Sequence, residues 1–392
     1  MVAGLRDGRQ PQLSRCRPVE GPVRTGKRAA ALRRAGGALV ASVAALSLSS
    51  GAFASPPSGG TGSSGATSVT GTTATTGTPS NLLLPPAGDI LTGISGDDAA
   101  QYATETGKHP AVFGSFVTWG HSLDWAFSDA AGTHALVMLH ISTSMGTGAP
   151  ETITPAAIAS GSGDGYLLSL ANMIAKHGAP VYIRLLPEMN NANNAYSADT
   201  LSGAPRGAAY THRQFKAAWR RTVTILRGGS VSVIDAKLAA LHLPPLQGLA
   251  PTAVLPVSPI AFVWCPETAG TPNVASESAA SYWPGKAYVD WVGTDFYSQF
   301  PNFAGLQHFY REFRGKPFVF AEWAMWNTDS AAFVNEFFDF IGTHSRVRMI
   351  LYNEGYGASS PLLLSKYPAA AAAIRQRVAP ARYLAYAPNL AP

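Results

Sequence analysis

The chain has 392 residues, with 29 Lys and Arg against 23 Asp and Glu, a formal net charge of +6 and two cysteines. Nine of the cations lie in the first 54 residues against only Asp7 and Glu20, so about −1 remains on the rest, and nucleic acid is excluded as a partner. Cys16 falls in the same stretch and Cys265 stands alone, which excludes a disulfide within the remainder and a cysteine-based zinc site.

In chain order, the first element is a leader. Arg6, Arg9, Arg15, Arg17, Arg24, Lys27, Arg28, Arg33 and Arg34 precede an apolar stretch at 35–54 that closes on Ala52-Phe53-Ala54. A positive run, an apolar run and a small-x-small site predict an export signal over residues 1–54. The stretch is barely long enough to span a bilayer, so cleavage is expected, with no membrane attachment afterwards. Residues 55–80 are dominated by Gly, Ser, Thr and Pro and carry no charge. Such a composition buries too little apolar surface to offset ordering, and it reads as a linker.

Residues 81–392 read as one domain. Near-continuous apolar runs occur at 90–95, 111–119, 134–142, 181–188, 260–265, 289–297, 318–322 and 347–353. Helical stretches at 97–106, 164–177, 210–226, 304–314, 330–344 and 362–377 fall between them, and Gly107, Gly178 and Gly315 follow three of these as helix-ending glycines do. Strands apolar on both faces are strands covered on both sides, as parallel ones are. Eight in alternation with helices predict an α/β fold, the (β/α)8 TIM barrel. The segment 228–259, rich in Pro, Gly and Leu, interrupts the beat and is expected to be an insertion shaping one wall of the cleft.

Two glutamates end the fourth and seventh runs. Glu188 closes Arg184-Leu-Leu-Pro-Glu188-Met-Asn190, and Glu322 closes Phe318-Val-Phe-Ala-Glu322-Trp323. Barrel strand ends converge on one mouth, and an opposed pair of carboxyls there is the equipment for cleaving a glycosidic bond. One carboxyl must be ionised; the other must keep a proton, through burial or a negative neighbour. Alternation along the strands places Leu186, Arg184 and Tyr182 on Glu188's side, Phe320 and Phe318 on Glu322's side, and Asp295 and Gly293 on Tyr297's side. Tyr297 is expected to donate to the attacking carboxylate. Trp119, Trp264, Trp323 and Tyr352 are expected to offer their faces to sugar rings. His140, Arg184 and Asn190 complete the expected substrate-binding set, with Arg184 tuning the carboxyls more than touching substrate, and His140 reading equally as a satisfied core histidine. Trp125 and Trp219 read as packing, Glu267 and Asp290 as surface or loop charges, and Glu354 as a rival carboxylate. No His-x-His stands at a strand end, and no metal or cofactor is expected.

The chain also resembles glycoside hydrolase family 26, the β-mannanase-like members of clan A. The resemblance is carried by Ile158-Ala-Ser-Gly161-Ser-Gly-Asp164-Gly-Tyr166, by Gly178-Ala-Pro180 leading to Arg184-Leu-Leu-Pro-Glu188-Met-Asn190, and by Phe215-Lys-Ala-Ala-Trp219-Arg220. Val263-Trp264, Tyr282-Trp-Pro284-Gly285 and Val289-Asp290-x-x-Gly293-x-Asp295-x-Tyr297 extend it. It implies an enzyme that hydrolyses a mannan-like or other β-glycan with retention, and the expected leader with the absence of disulfides makes it a secreted bacterial one. Glu188 is matched to the acid/base, Glu322 to the nucleophile, and Tyr297 to the tyrosine that contacts the nucleophile. Pro187 stands where the family usually has His, and Tyr352 or Asn353 where it usually has Trp. Both departures touch the subsite nearest the bond, and they motivate a second reading, a carbohydrate-binding protein on the same barrel that has lost catalysis.

Overall fold

The computed structural model describes residues 82–96, 99–146 and 149–388. The expected leader (1–54) and linker (55–80) lie outside the described residues. Eight parallel strands, β1 (Ile90–Gly96), β2 (Val112–Thr118), β3 (Leu136–Ser142), β4 (Val181–Leu185), β5 (Ile260–Trp264), β6 (Trp291–Tyr297), β7 (Phe318–Ala324) and β8 (Val347–Gly355), pair in chain order. β8 then pairs with β1, through Leu91 opposite Met349 up to Ser95 opposite Asn353, which closes the barrel. The chain is a (β/α)8 barrel, as its alternation predicts.

Helices α1 (Ala99–Thr106), α2 (Asp124–Gly132), α3 (Pro155–Ala159), α4 (Asp164–His177), α5 (His212–Leu226), α6 (Val231–Ala240), α7 (Phe303–Glu312) and α8 (Ala331–Thr343) occupy the crossovers, and α9 (Pro368–Val378) follows β8. Their starts are set by local chemistry: Thr211, Asn302 and Ser330 each accept a backbone N–H of the first turn through the side chain. One crossover departs from the expected beat. Between β5 and β6 the chain forms only short 3₁₀ turns, Ala275–Glu277, Ala279–Tyr282 and Lys286–Tyr288. Pro272, Pro284 and Gly285 interrupt that stretch and leave no room for a longer helix.

The insertion differs from its expected role. Residues 228–259 form α6 and a ribbon of two short strands, Gly229–Ser230 with Val254–Leu255. They pack on the outer faces of α4 and α5 instead of walling the mouth. The buried Arg221 of α5 holds them there, donating to Pro244 O at 2.7 Å and Pro245 O at 3.1 Å while its Nε bonds Asp164 Oδ1 at 2.8 Å.

Two apolar layers result. The larger, between strands and helices, takes alternate strand residues such as Ile94, Val137, Ile183, Phe262 and Phe320. The smaller fills the barrel's interior with Leu91, Met138, Tyr182, Val263, Trp291 and Val319. Towards the strands' C-terminal ends the interior changes character: Ser95, His140, Arg184, Asp295, Glu322 and Asn353 replace the aliphatic residues there. At the other end, residues 82–89 serve as a floor. Leu82 O accepts from Trp291 Nε1 at 2.5 Å and Leu83 O from Tyr182 OH at 2.6 Å.

Candidate active site

β4 stops at Leu185, three residues short of Glu188. Leu186 and Glu188 both take positive φ, 43° and 48°, a region that costs a residue with a Cβ about 1–2 kcal/mol. Surrounding bonds hold the turn: Leu186 N to Ile141 O at 2.7 Å, Glu188 N to Cys265 O at 2.8 Å and Tyr196 OH to Pro187 O at 2.6 Å. The expected alternation therefore fails at Leu186, which enters the outer apolar layer together with Met189. Glu188 is turned back towards the barrel interior, partly exposed, where its carboxyl is in electrostatic reach of Arg184, Asp295 and Glu322.

A bulge aims Glu322. Thr294 of β6 stands opposite Phe320, while the next residue, Asp295, stands opposite Glu322. Ala321 is thus an extra residue in β7, and such a residue shifts the parity of a strand. Phe318 and Phe320 face the helices, contrary to the expected sharing of sides, whereas Ala321 and Glu322 both lie inward.

Glu322 is gripped by donors. Arg184 Nη1 bonds Oε1; Tyr297 OH donates to Oε2 at 2.6 Å and Asn353 Nδ2 at 2.5 Å. Arg184, fully buried, spends its other arm on Asp295. His140 keeps Arg184 in place: its Nδ1 lies 2.8 Å from Arg184 Nη1, and its Nε2 lies 3.2 Å from Ser95 Oγ. Burial, and then the charge of Arg184, hold His140 well below the usual histidine range, so it is a neutral acceptor. One guanidinium thus faces three carboxyls, which cannot all be ionised in so enclosed a site. Burial, then the charge of Glu322, raise Glu188 above the usual carboxylate range against the pull of Arg184. Asp295 is likewise raised by burial and hydrogen-bonds Glu188, a contact between two acids that needs a proton on one of them. That contact pulls Glu188 down and pushes Asp295 up, so of the two it favours the protonated form of Asp295.

The structure brings Glu188, Glu322, Tyr297, Arg184 and His140 together; it sends the other expected residues elsewhere. Trp264 is fully buried in the outer layer against Trp283, Phe309 and Phe313. Trp323 is packed on Phe337 and Phe338, and Tyr352 lies between Trp323 and Tyr102 with its hydroxyl donating to Leu362 O. Trp119 is buried on Tyr166. These four therefore offer no face to a sugar at the mouth. Asn190 is a brace: fully buried, it donates to Glu267 O at 3.0 Å and accepts from Glu267 N at 2.8 Å. His140 and Arg184 sit beneath the carboxyls and act on them, not on the solvent-facing mouth. Glu354 turns to the outer layer, where Leu364 N bonds its carboxyl at 2.8 Å, and Trp125, expected to pack, is 43% exposed. Asp290 is a buried partner of Arg227, at 2.6 Å and 2.8 Å, and no surface charge.

Two acids were not read from the sequence as part of the cluster. Asp295 was legible as an inward neighbour of Tyr297, but nothing in the sequence marked its grip on Arg184. Glu267 sits just past β5, its oxygens accepting from Asn191 at 2.7 Å and Thr271 at 2.8 Å; burial, with the charge of Glu188, pushes it up to about 8. Among the described residues, no group of three His, Cys, Asp or Glu is arranged to hold a metal ion.

No family model matches the chain, and no curated protein matches it in sequence. Solved structures do. A modular endo-β-1,4-mannanase from Cellulomonas fimi aligns at a TM-score of 0.50 and 17% identity over 78% of this chain and 75% of that one. A double mutant of a C. fimi endo-β-1,4-mannanase gives 0.50 and 17% over 76% and 72%. A glycoside hydrolase family 26 β-mannanase from Bacteroides ovatus gives 0.50 and 14% over 78% and 92%. At these identities the likeness is one of fold, a distant family-26-like barrel.

Proposed function

We propose that this chain is a secreted retaining glycoside hydrolase acting on a β-linked polysaccharide, with Glu322 as nucleophile and Glu188 as acid/base. One observation carries the reading: a carboxyl that burial and the charge of Glu322 raise above its ordinary range shares one barrel mouth with a carboxyl fixed by three donors. Glu322 attacks the anomeric carbon as Glu188 gives its proton to the departing oxygen. Glu188, now ionised, takes a proton from the water that displaces Glu322. Arg184, Tyr297 and Asn353 orient the nucleophile, and burial with the charge of Glu322 favours Glu188's protonated form, against the pull of Arg184 and the hydrogen bond from Asp295. The shared fold with family 26 mannanases supports the reaction class; Pro187, which offers no donor, leaves mannan one candidate among β-glycans.

Replacing Glu188 by Ala is expected to lower kcat by about 10²–10⁴-fold on a polysaccharide. On an aryl glycoside with a good leaving group, added azide should restore part of the rate and yield a glycosyl azide. Wild-type turnover in the variant, or azide without effect, would remove Glu188 from this role. Tight polysaccharide binding by the wild-type chain without release of reducing ends would favour the binding-protein reading.

A further inference from the structure

We propose that two aromatic pairs on the rim, Phe300 with Trp326 and Phe116 with Tyr356, are sugar-stacking subsites for an uncharged glycan. The proposal rests on the hydrolase reading of the same mouth. Phe300 and Trp326 lie on the loops after β6 and β7. Phe300 is 63% exposed, and its ring meets Trp326 edge-on at 6.0 Å. Trp326 in turn meets Tyr297 at 5.5 Å, and Tyr297 bonds Glu322. Ser298 fixes the indole's backbone, accepting from Trp326 N at 2.8 Å.

The second pair approaches from the β2 and β8 side. Phe116 is an inward residue of β2 and stacks on His140 at 4.7 Å. Tyr356, 53% exposed, meets it edge-on at 5.9 Å. Gly355 and Gly357, with φ of 66° and 72°, bracket Tyr356, and only residues without a Cβ turn the chain so readily on both sides of one ring. Each pair therefore runs from an exposed ring through a half-covered one to the groups that hold Glu322. Large aromatic faces kept in water next to polar groups are what the CH faces of sugars stack on.

Charge decides which sugars. The loops after the strands carry three Lys or Arg, namely Arg206, Lys286 and Lys366. Arg206 is spent on the carbonyls of Ala192, Ser197 and Asp199, and Lys366 on Ser360 O at 2.6 Å. Lys286 acts on Lys316, which leads into the start of β7, at the opposite end of the barrel. Arg184 is taken up by two carboxylates. A uronate or sulfate at this mouth would meet Glu188, Glu267, Asp295 and Glu322, and none of the Lys or Arg on these loops among the described residues is placed to receive it.

The test is titration calorimetry of the wild-type chain, Phe300→Ala and Tyr356→Ala with β-1,4-linked manno-, gluco- and xylohexaose and with polygalacturonate. Phe300 is largely exposed, so Phe300→Ala should leave thermal melting unchanged; Tyr356 OH also accepts from Phe116 N at 3.3 Å, so Tyr356→Phe, which keeps the ring, is the control for Tyr356→Ala and should bind as the wild type does. The expected result is binding of at least one uncharged hexasaccharide, weakened roughly 10-fold in each alanine variant, and no binding of polygalacturonate. Equal affinity in both alanine variants, failure of the wild-type chain to bind any neutral hexasaccharide, or polygalacturonate bound as tightly as they are would overturn the proposal. Binding weakened in this way by a chain that hydrolyses none of the ligands would leave the subsites standing and sink the hydrolase reading alone.

Discussion

At the scale of single residues, the site works by imbalance: one buried guanidinium and one neutral imidazole against three acids. Because the negative charge of Glu322 raises Glu188, removing that charge should make ionised Glu188 cheaper. Glu322→Gln is therefore expected to titrate Glu188 at lower pH than in the wild type, read by carbon NMR of the labelled carboxyl. An unchanged or higher titration point would mean the two groups are not coupled as described. The sign has a stability counterpart. A carboxyl raised in the folded state favours folding below its ordinary range and loses that contribution as pH rises through its folded value, which for Glu267 is about 8. Sequence reached Glu188, Glu322 and Tyr297 because each is a polar residue at the end of an apolar run. It did not reach Glu267, since a loop residue has no periodicity to say whether it is buried.

At the scale of elements, aim is set by the places where strand regularity breaks. Glu188 faces the site because β4 ends early in a strained turn, and Glu322 because Ala321 bulges β7. Strict alternation from those glutamates misassigned Leu186, Phe318 and Phe320. Applied from the neighbouring residue it would have rejected Trp323, since residues adjacent along a strand point to opposite sides. Trp264 fails the same way: Val263 and Cys265 are inward, so the tryptophan between them packs on helices. Close packing of β1, β2 and β3 is the other requirement. A Cβ on Gly114 would collide with Ser95 Oγ and come within 2.6 Å of His140 Nε2. Gly114→Ala should thus cost about 1–3 kcal/mol in thermal or denaturant unfolding and lower kcat through His140 and Arg184. Gly132→Ala, in α2 with nothing within 4 Å of its added Cβ, is the control expected to leave kcat unchanged and to stabilise by up to about 1 kcal/mol.

At the scale of the whole molecule, the barrel is sealed at one end and open at the other, and the fold class was legible because eight apolar runs repeat with helices between them. The floor was not legible, because residues 82–89 form no regular element. Arg348 Nε donates to Asp89 O at 2.7 Å and its Nη2 to Pro85 O at 2.8 Å, tying the segment to β8. A chain beginning at Ile90 would lose the bonds from Trp291 Nε1 and Tyr182 OH, at about 0.5–1.5 kcal/mol each, and open the apolar interior at that end to water. Its melting temperature should fall clearly below that of a chain beginning at Asn81, whereas equal melting would mean the floor is dispensable.

The most direct measurement is mass spectrometry of the chain after incubation with a 2-deoxy-2-fluoro glycoside of a sugar it hydrolyses. A mass increase of one fluoroglycosyl group on the peptide containing Glu322, lost again when an acceptor sugar is added, is the outcome a double displacement requires. Continued hydrolysis of the parent glycoside with no adduct, or an adduct on any other carboxyl, would contradict it.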